Sequence, residues 1–84
     1  MGQRHNIIPE FTRINTMDPE LIADILQRLG ARRQGNLIEM SQTLVNNLSD
    51  TDILRLCRVA EFYKIFTSRT WGRLQDRRML ILNR

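Results

Sequence analysis

Apolar residues recur at helical spacing over most of this chain, and side chains suited to capping mark where each run begins. Ser49 is placed to accept from the amides two and three residues on, Asp50 and Asp52 set negative charge against the helix dipole, and Leu48 can staple onto Ile53 across the cap. A helix therefore starts at Asp50. From there Ile53, Leu56, Cys57, Ala60 and Tyr63 repeat at intervals of three and four, one buried face, while Arg55, Arg58 and Glu61 fall mostly outside it.

Upstream, Asp18 as cap, Pro19 at the first helical position and Glu20 in the first turn open another helix, with Leu21, Ile22, Ile25, Leu26 and Leu29 as its apolar stripe and Asp24 paired with Arg28 outside it. Gly30 is the stop, or Gly35 if Ala31 to Gln34 continue the helix. Asn36 with Glu39 has the form of a capping box for a third helix, carrying Leu37, Met40, Leu44, Val45 and Leu48 and ending near Asn47 in a left-handed residue. A fourth runs from about Ser68 to Met79 behind a Thr67-Ser68 cap, with Gly72 in its interior at a cost of about 1 kcal/mol against alanine. Residues 1–16, with Pro9 and scattered Ile7, Ile8, Phe11 and Ile14, form an N-terminal arm. Residues 17–84 are then a single helical domain, an all-α bundle of three to four helices with a helix-turn-helix-like C-terminal part.

Length changes this picture by adding a need for partners. A chain of 84 residues buries only about 60 to 65% of its unfolded surface. The four consecutive apolars Met79-Leu80-Ile81-Leu82 are also too many for a solvated tail. The expectation is an obligate or near-obligate oligomer, a homodimer or hetero-oligomer subunit, with Leu21, Ile25, Met79, Leu80 and Leu82 at the interface. The opening MGQRHNIIPEF lacks the apolar core of a signal peptide, and no apolar run approaches the roughly 20 residues of a membrane span, which predicts a soluble cytoplasmic protein.

Catalytic and metal chemistry find little to work with. There is one histidine, His5, and one cysteine, Cys57, so neither an internal disulfide nor a four-ligand zinc set is available from them, and no phosphate loop, G-x-G-x-x-G or H-E-x-x-H motif occurs. Cys57 falls on an apolar helix face as a core residue, and Asp50 and Asp52 are helix-start charges rather than an acid and base pair. The expectation is a protein without enzymatic activity or cofactor.

Charge supplies the one functional signal. Residues 1–52 carry five basic and seven acidic side chains, net −2; residues 53–84 carry eight basic and two acidic, net +6. Twelve of the thirteen basic residues are arginine, suited to forked contacts with phosphate or carboxylate. In the last helix Arg69, Arg73 and Arg77 lie four apart along one exposed side, with Arg78 beside them, and Thr67, Ser68 and Thr70 can donate to phosphate at the helix start. These seven residues are the candidate contacts to double-stranded DNA. A charge stripe of this kind equally serves as a solvated face or as a surface for an acidic partner, so a non-enzymatic interaction adaptor stands beside the DNA-binding reading. Trp71 in the same stretch is more often a core anchor than a DNA contact.

Leu48-Ser49-x-x-x-Ile53-Leu54-Arg55-Leu56-Cys57, followed by Phe62 and Phe66, resembles the middle of FlhD, a subunit of the bacterial flagellar master transcription activator, where L-T-x-x-Q-M-V-K-L-A precedes a hydrophobic residue and a phenylalanine at similar distances. Glu39-Met40-x-x-Thr43-Leu44 is similar to that family's E-M-x-x-T-L, with one residue inserted before Leu48. The similarity covers about residues 37–76, under half of them identical. It implies an all-helical dimer that joins a zinc-bearing FlhC-like subunit in a DNA-binding activator, with Thr67 to Arg78 matching the region where the family has a helix-turn-helix-like element. Two departures stand out: Cys57 is not where FlhD has its cysteine, and the family chain runs on with more helix past the position of Asp76.

Overall fold

The computed structural model describes residues 14–84. Helix α1, Pro19–Arg28, is capped by Asp18, whose carboxylate accepts from the Glu20 amide at 2.9 Å. It ends through Gly30 at φ +114°, where the Gly30 N–H donates to the Gln27 carbonyl and the Ala31 N–H to the Leu26 carbonyl. These two bonds are the Schellman closure, which needs a left-handed residue at the turn and obtains it from glycine.

The chain beyond departs from the all-α expectation. Neither a continued first helix nor a capping box at Asn36 forms. Instead β1, Arg32–Gln34, pairs antiparallel with β2, Leu37–Glu39, in the register Arg32 to Glu39, Arg33 to Ile38 and Gln34 to Leu37. The loop is Gly35-Asn36, with Gly35 at φ +61° and no non-glycine residue at positive φ among the described residues, the pattern of a two-residue hairpin that takes glycine at its first central position. Alternation within β2 buries Ile38 between the half-buried Leu37 and Glu39. Ile38 also bridges in parallel to Phe66, so the hairpin is pinned to the segment that follows the third helix.

Helix α2 is short, Gln42–Asn47, and its cap is Ser41, which accepts from the Leu44 amide at 3.1 Å. It closes at Leu48 in extended conformation rather than through a left-handed Asn47. Helix α3, Asp50–Phe62, begins where the apolar pattern places it, with the Ser49 hydroxyl accepting from the Asp52 amide at 3.1 Å. Helix α4, Ser68–Leu82, is capped by Thr67 and takes in the four terminal apolars. Asp50 at the head of α3 meets Arg84 just past α4, while Cys57 in mid-α3 meets Leu74 in mid-α4, so the two helices run in opposite directions.

The core collects Ile22 and Leu26 of α1, Ile38 and Met40 from the hairpin strand and the turn after it, Val45 of α2, Ile53, Leu56 and Val59 of α3, and Leu74 of α4, all fully buried. It reaches into the arm, since Ile14 is 1% exposed within the same cluster. Residues 1–13, which hold the rest of the arm, lie outside the described residues. Cys57 is buried, and burial pushes its thiol above the ordinary range. The protein is mostly helical, with four helices and one two-stranded antiparallel sheet among the described residues. No described helix is long and apolar enough to cross a membrane.

Candidate nucleic-acid interface

The seven residues expected to face DNA share a helix but not an environment. Thr67 and Thr70 turn toward β2. The Thr67 hydroxyl donates to the Glu39 carboxylate and accepts from the Thr70 amide at 3.2 Å. Thr70, fully buried, accepts from the Met40 amide at 2.8 Å and lies 3.4 Å from the same Glu39 oxygen. Met40 is the first residue past β2, where its N–H has no sheet partner, and the threonine hydroxyl satisfies it. Holding Met40 in this way also keeps residues 36–40 out of the helix that their spacing suggested.

Arg73 joins the same cluster. Its Nη1 donates to the Met40 carbonyl at 2.6 Å and sits 3.6 Å from Glu39 Oε2. One turn on, Arg77 reaches a different place. Nη1 donates to the Val45 and Asn46 carbonyls at 3.1 and 3.4 Å, and Nη2 to Asp50 Oδ1 at 3.0 Å. The Val45 carbonyl otherwise accepts only from the Leu48 amide, at 3.3 Å, and a cation at this end of α2 also meets the negative end of the helix dipole. Arg77 therefore ties the end of α2 to the start of α3 at the corner around Leu48 and Ser49. Arg84 grips the same carboxylate from the other side at 2.7 Å. These hydrogen bonds, Arg84's foremost, hold the Asp50 carboxyl below its ordinary range against a smaller opposing effect of burial.

The expected solvated stripe is thus corrected at Arg73 and Arg77. They are four residues apart on one side of α4, as their spacing required, but that side faces the protein, and the Arg77 side chain is only 16% exposed. Arg78 lies 3.6 Å from Glu61 across the α3–α4 surface. Ser68 and Arg69 are exposed at the head of α4, and no described residue forms an ion pair with Arg69. Of the expected contacts, these two are open to a phosphate without first breaking an internal bond.

Glu39 is the residue that the sequence pattern misassigned, to a capping box, while Asp50 is a helix-start charge as read but does more than that: the two receive Arg73 and Arg77 across 34 and 27 positions of chain. The signal was present in the charge split: an acidic first half and a basic second half fit each other within one fold as readily as the second fits DNA.

The expected interface residues divide as well. Leu21, Met79, Leu80 and Leu82 are each more than half exposed, whereas Ile25 packs against the chain's own core, as does Ile81. Leu82 shares a shallow groove with Leu54, Arg58, Glu61, Phe62 and Arg78, where apolar side chains of α3 and α4 lie open between charges. Among the described residues no three metal-ligating side chains come together. No protein-family model, curated protein or solved structure matches the chain.

Proposed function

We propose that this chain is a non-catalytic subunit of a DNA-binding transcription activator of FlhD type, acting as a dimer and with an FlhC-like partner subunit in the cytoplasm. The observation that carries the reading is the division of labour along α4. Its head offers Ser68 and Arg69 to solvent, and its tail offers Met79, Leu80 and Leu82, three large apolar side chains exposed together. An apolar tail of this kind gains by being covered, and dimerisation through it would set two copies of the arginine-bearing head on one duplex. With α3 and the segment 63–67, α4 would serve as the helix-turn-helix-like element.

A second reading is favoured by a specific observation. Arg73 and Arg77 are occupied by Met40, Glu39, Val45, Asn46 and Asp50, which leaves a thinner basic surface than the seven residues promised. A protein-interaction adaptor needs no more than this. Light scattering together with fluorescence anisotropy on a labelled random 30-base-pair duplex, with and without the co-expressed product of the neighbouring gene, separates the two. The activator subunit gives a mass of at least twice 10.0 kDa and salt-dependent DNA binding. An oligomer that ignores DNA in both settings supports the adaptor, and a 10.0 kDa monomer that ignores DNA refutes the activator reading.

A further inference from the structure

Two neighbouring arginines of the hairpin face opposite ways. Residues paired directly across an antiparallel ladder project from the same face, and successive residues of one strand project from opposite faces. Arg33 pairs with the buried Ile38, and it lines a groove together with Glu20 and Asp24 of α1. Arg32 pairs with Glu39 and Gln34 with Leu37, so Arg32 and Gln34 project from the other face, the one on which Glu39 meets α4.

Glu39 fixes that face against the head of α4. Its carboxylate accepts from the Thr67 hydroxyl, lies 3.4 Å from the Thr70 hydroxyl and 3.6 Å from Arg73 Nη1, and its side chain is only 15% exposed. Arg32 and Gln34 share the sheet face of this internally matched acid, and Arg69 precedes Arg73 by one turn on the same side of α4. All three are exposed, and neither Arg32 nor Arg69 has an ion-pair partner among the described residues. The other carboxylate on that side of α4, Asp76, is two turns beyond Arg69. Where the hairpin meets the head of α4, three arginines therefore stand against one nearly buried carboxylate. Arg32 belongs to the acidic half of the chain, and the fold carries it to the basic half.

We propose that the β1–β2 hairpin supplies a second contact to the phosphates of duplex DNA, through Arg32 with Gln34 beside it, next to the contact at Arg69. The inference rests on the DNA-binding reading above and names the element that widens its thin basic surface. Residues two apart on a strand stand about 7 Å from each other, so a guanidinium and an amide can both donate to one stretch of backbone while Arg69 reaches it from the helix. Contacts of this kind fix the register of a protein on the duplex and read no base. An edge strand often carries charge only to keep other strands away. Arg33 meets that need as well as Arg32 does, yet it faces the two carboxylates of α1, so the neighbours control for each other.

The test is fluorescence anisotropy of the full chain on a labelled random duplex over a salt series, alone and with the co-expressed product of the neighbouring gene. Arg32→Ala should lower the slope of log affinity against log salt by about 0.9 per bound copy and weaken binding about eightfold at about 0.1 M salt. Arg32→Lys keeps the charge and should keep the slope. Arg33→Ala should leave slope and affinity at the parent's values. All three substitutions are on exposed side chains, so melting temperatures should stay at the parent's, which separates a lost contact from a lost fold. A parental slope for Arg32→Ala beside a lowered slope for Arg69→Ala would overturn the hairpin contact and leave the head of α4 in place. Equal losses from Arg32→Ala and Arg33→Ala would overturn it as well, because the effect would then be one of general charge. A parent chain that ignores DNA in both settings would overturn it together with the activator reading.

Discussion

Arg69 and Arg77 stand about two turns apart on α4 and differ in nearly everything but their chemistry. Arg69 extends into solvent, whereas Arg77 closes the end of one helix and pairs with the head of another. Their spacing along the helix does not distinguish them. What does is the supply of acceptors: the C-terminal carbonyls of a six-residue helix and the carboxylate of Asp50 lie within reach of Arg77, and among the described residues nothing comparable pairs with Arg69. A charge stripe becomes a binding face only where the fold has not already used it.

The largest expected effect comes from breaking the inward side of this comparison. Arg77→Ala removes the charged donor from the Val45 and Asn46 carbonyls and leaves Asp50 to Arg84 alone, and the expected cost of the lost carbonyl bonds is about 2–3 kcal/mol, a melting point lower by roughly 10–20 °C in thermal denaturation at neutral pH. The pH dependence should change with it. Asp50 is held below its ordinary value of 3.8 in the folded chain, so its contribution is fully present above that value and is lost as pH falls from there through the lower folded-state value. Without Arg77 that downward shift is smaller, and the drop in melting temperature between pH 6 and pH 3 should be smaller than in the parent. A variant that melts within 2 °C of the parent would mean that Arg77 is as free as Arg69.

Next is Thr70→Val, nearly the same shape without the hydroxyl. It leaves the buried Met40 amide without an acceptor and removes a donor near Glu39, so about 2 kcal/mol should be lost. Serine at the same position keeps the hydroxyl and should recover more than half of this, which separates the hydrogen bond from packing.

On the outward side, Gly72 offers the opposite sign. A Cβ built there meets nothing within 4 Å, and the residue sits exposed in mid-helix. Gly72→Ala should stabilise by about 0.5–1 kcal/mol, read as an upward shift in the denaturation midpoint with unchanged slope. A loss of stability instead would show that this face of α4 is covered in solution.

These two faces also show how much could be taken from the amino-acid order alone. Local signals carried α1 and α3, because Asp18 and Ser49 cap their helices within three residues of chain and the apolar period needs no distant partner. Residues 36–48 misled because two local signals competed. Asn36 and Glu39 fit a capping box, but Gly35-Asn36 between short runs fits a two-residue hairpin equally well, and the balance is tipped by Thr70 and Ile65, some thirty residues away. The same holds for the site. Arg73 and Arg77 are legible as a pair on one side of a helix, while the direction of that side depends on where β2 and α2 come to rest.

The smallest expected effect on stability is the one that sharpens the functional half of the comparison. Arg69 is exposed and unpaired among the described residues, so Arg69→Ala should alter stability by less than about 0.5 kcal/mol. If the head of α4 meets DNA, the same change removes one phosphate contact per chain. Each such contact releases condensed counterion, so the slope of log affinity against log salt should fall by about 0.9 per bound copy, with affinity for every duplex sequence reduced alike. Arg28→Ala is the control, another exposed arginine, at the end of α1. Because neither substitution disturbs the fold, a difference between them locates the phosphate contact rather than a general loss of positive charge. Equal slopes for Arg69→Ala, Arg28→Ala and the parent would remove the head of α4 from any DNA surface.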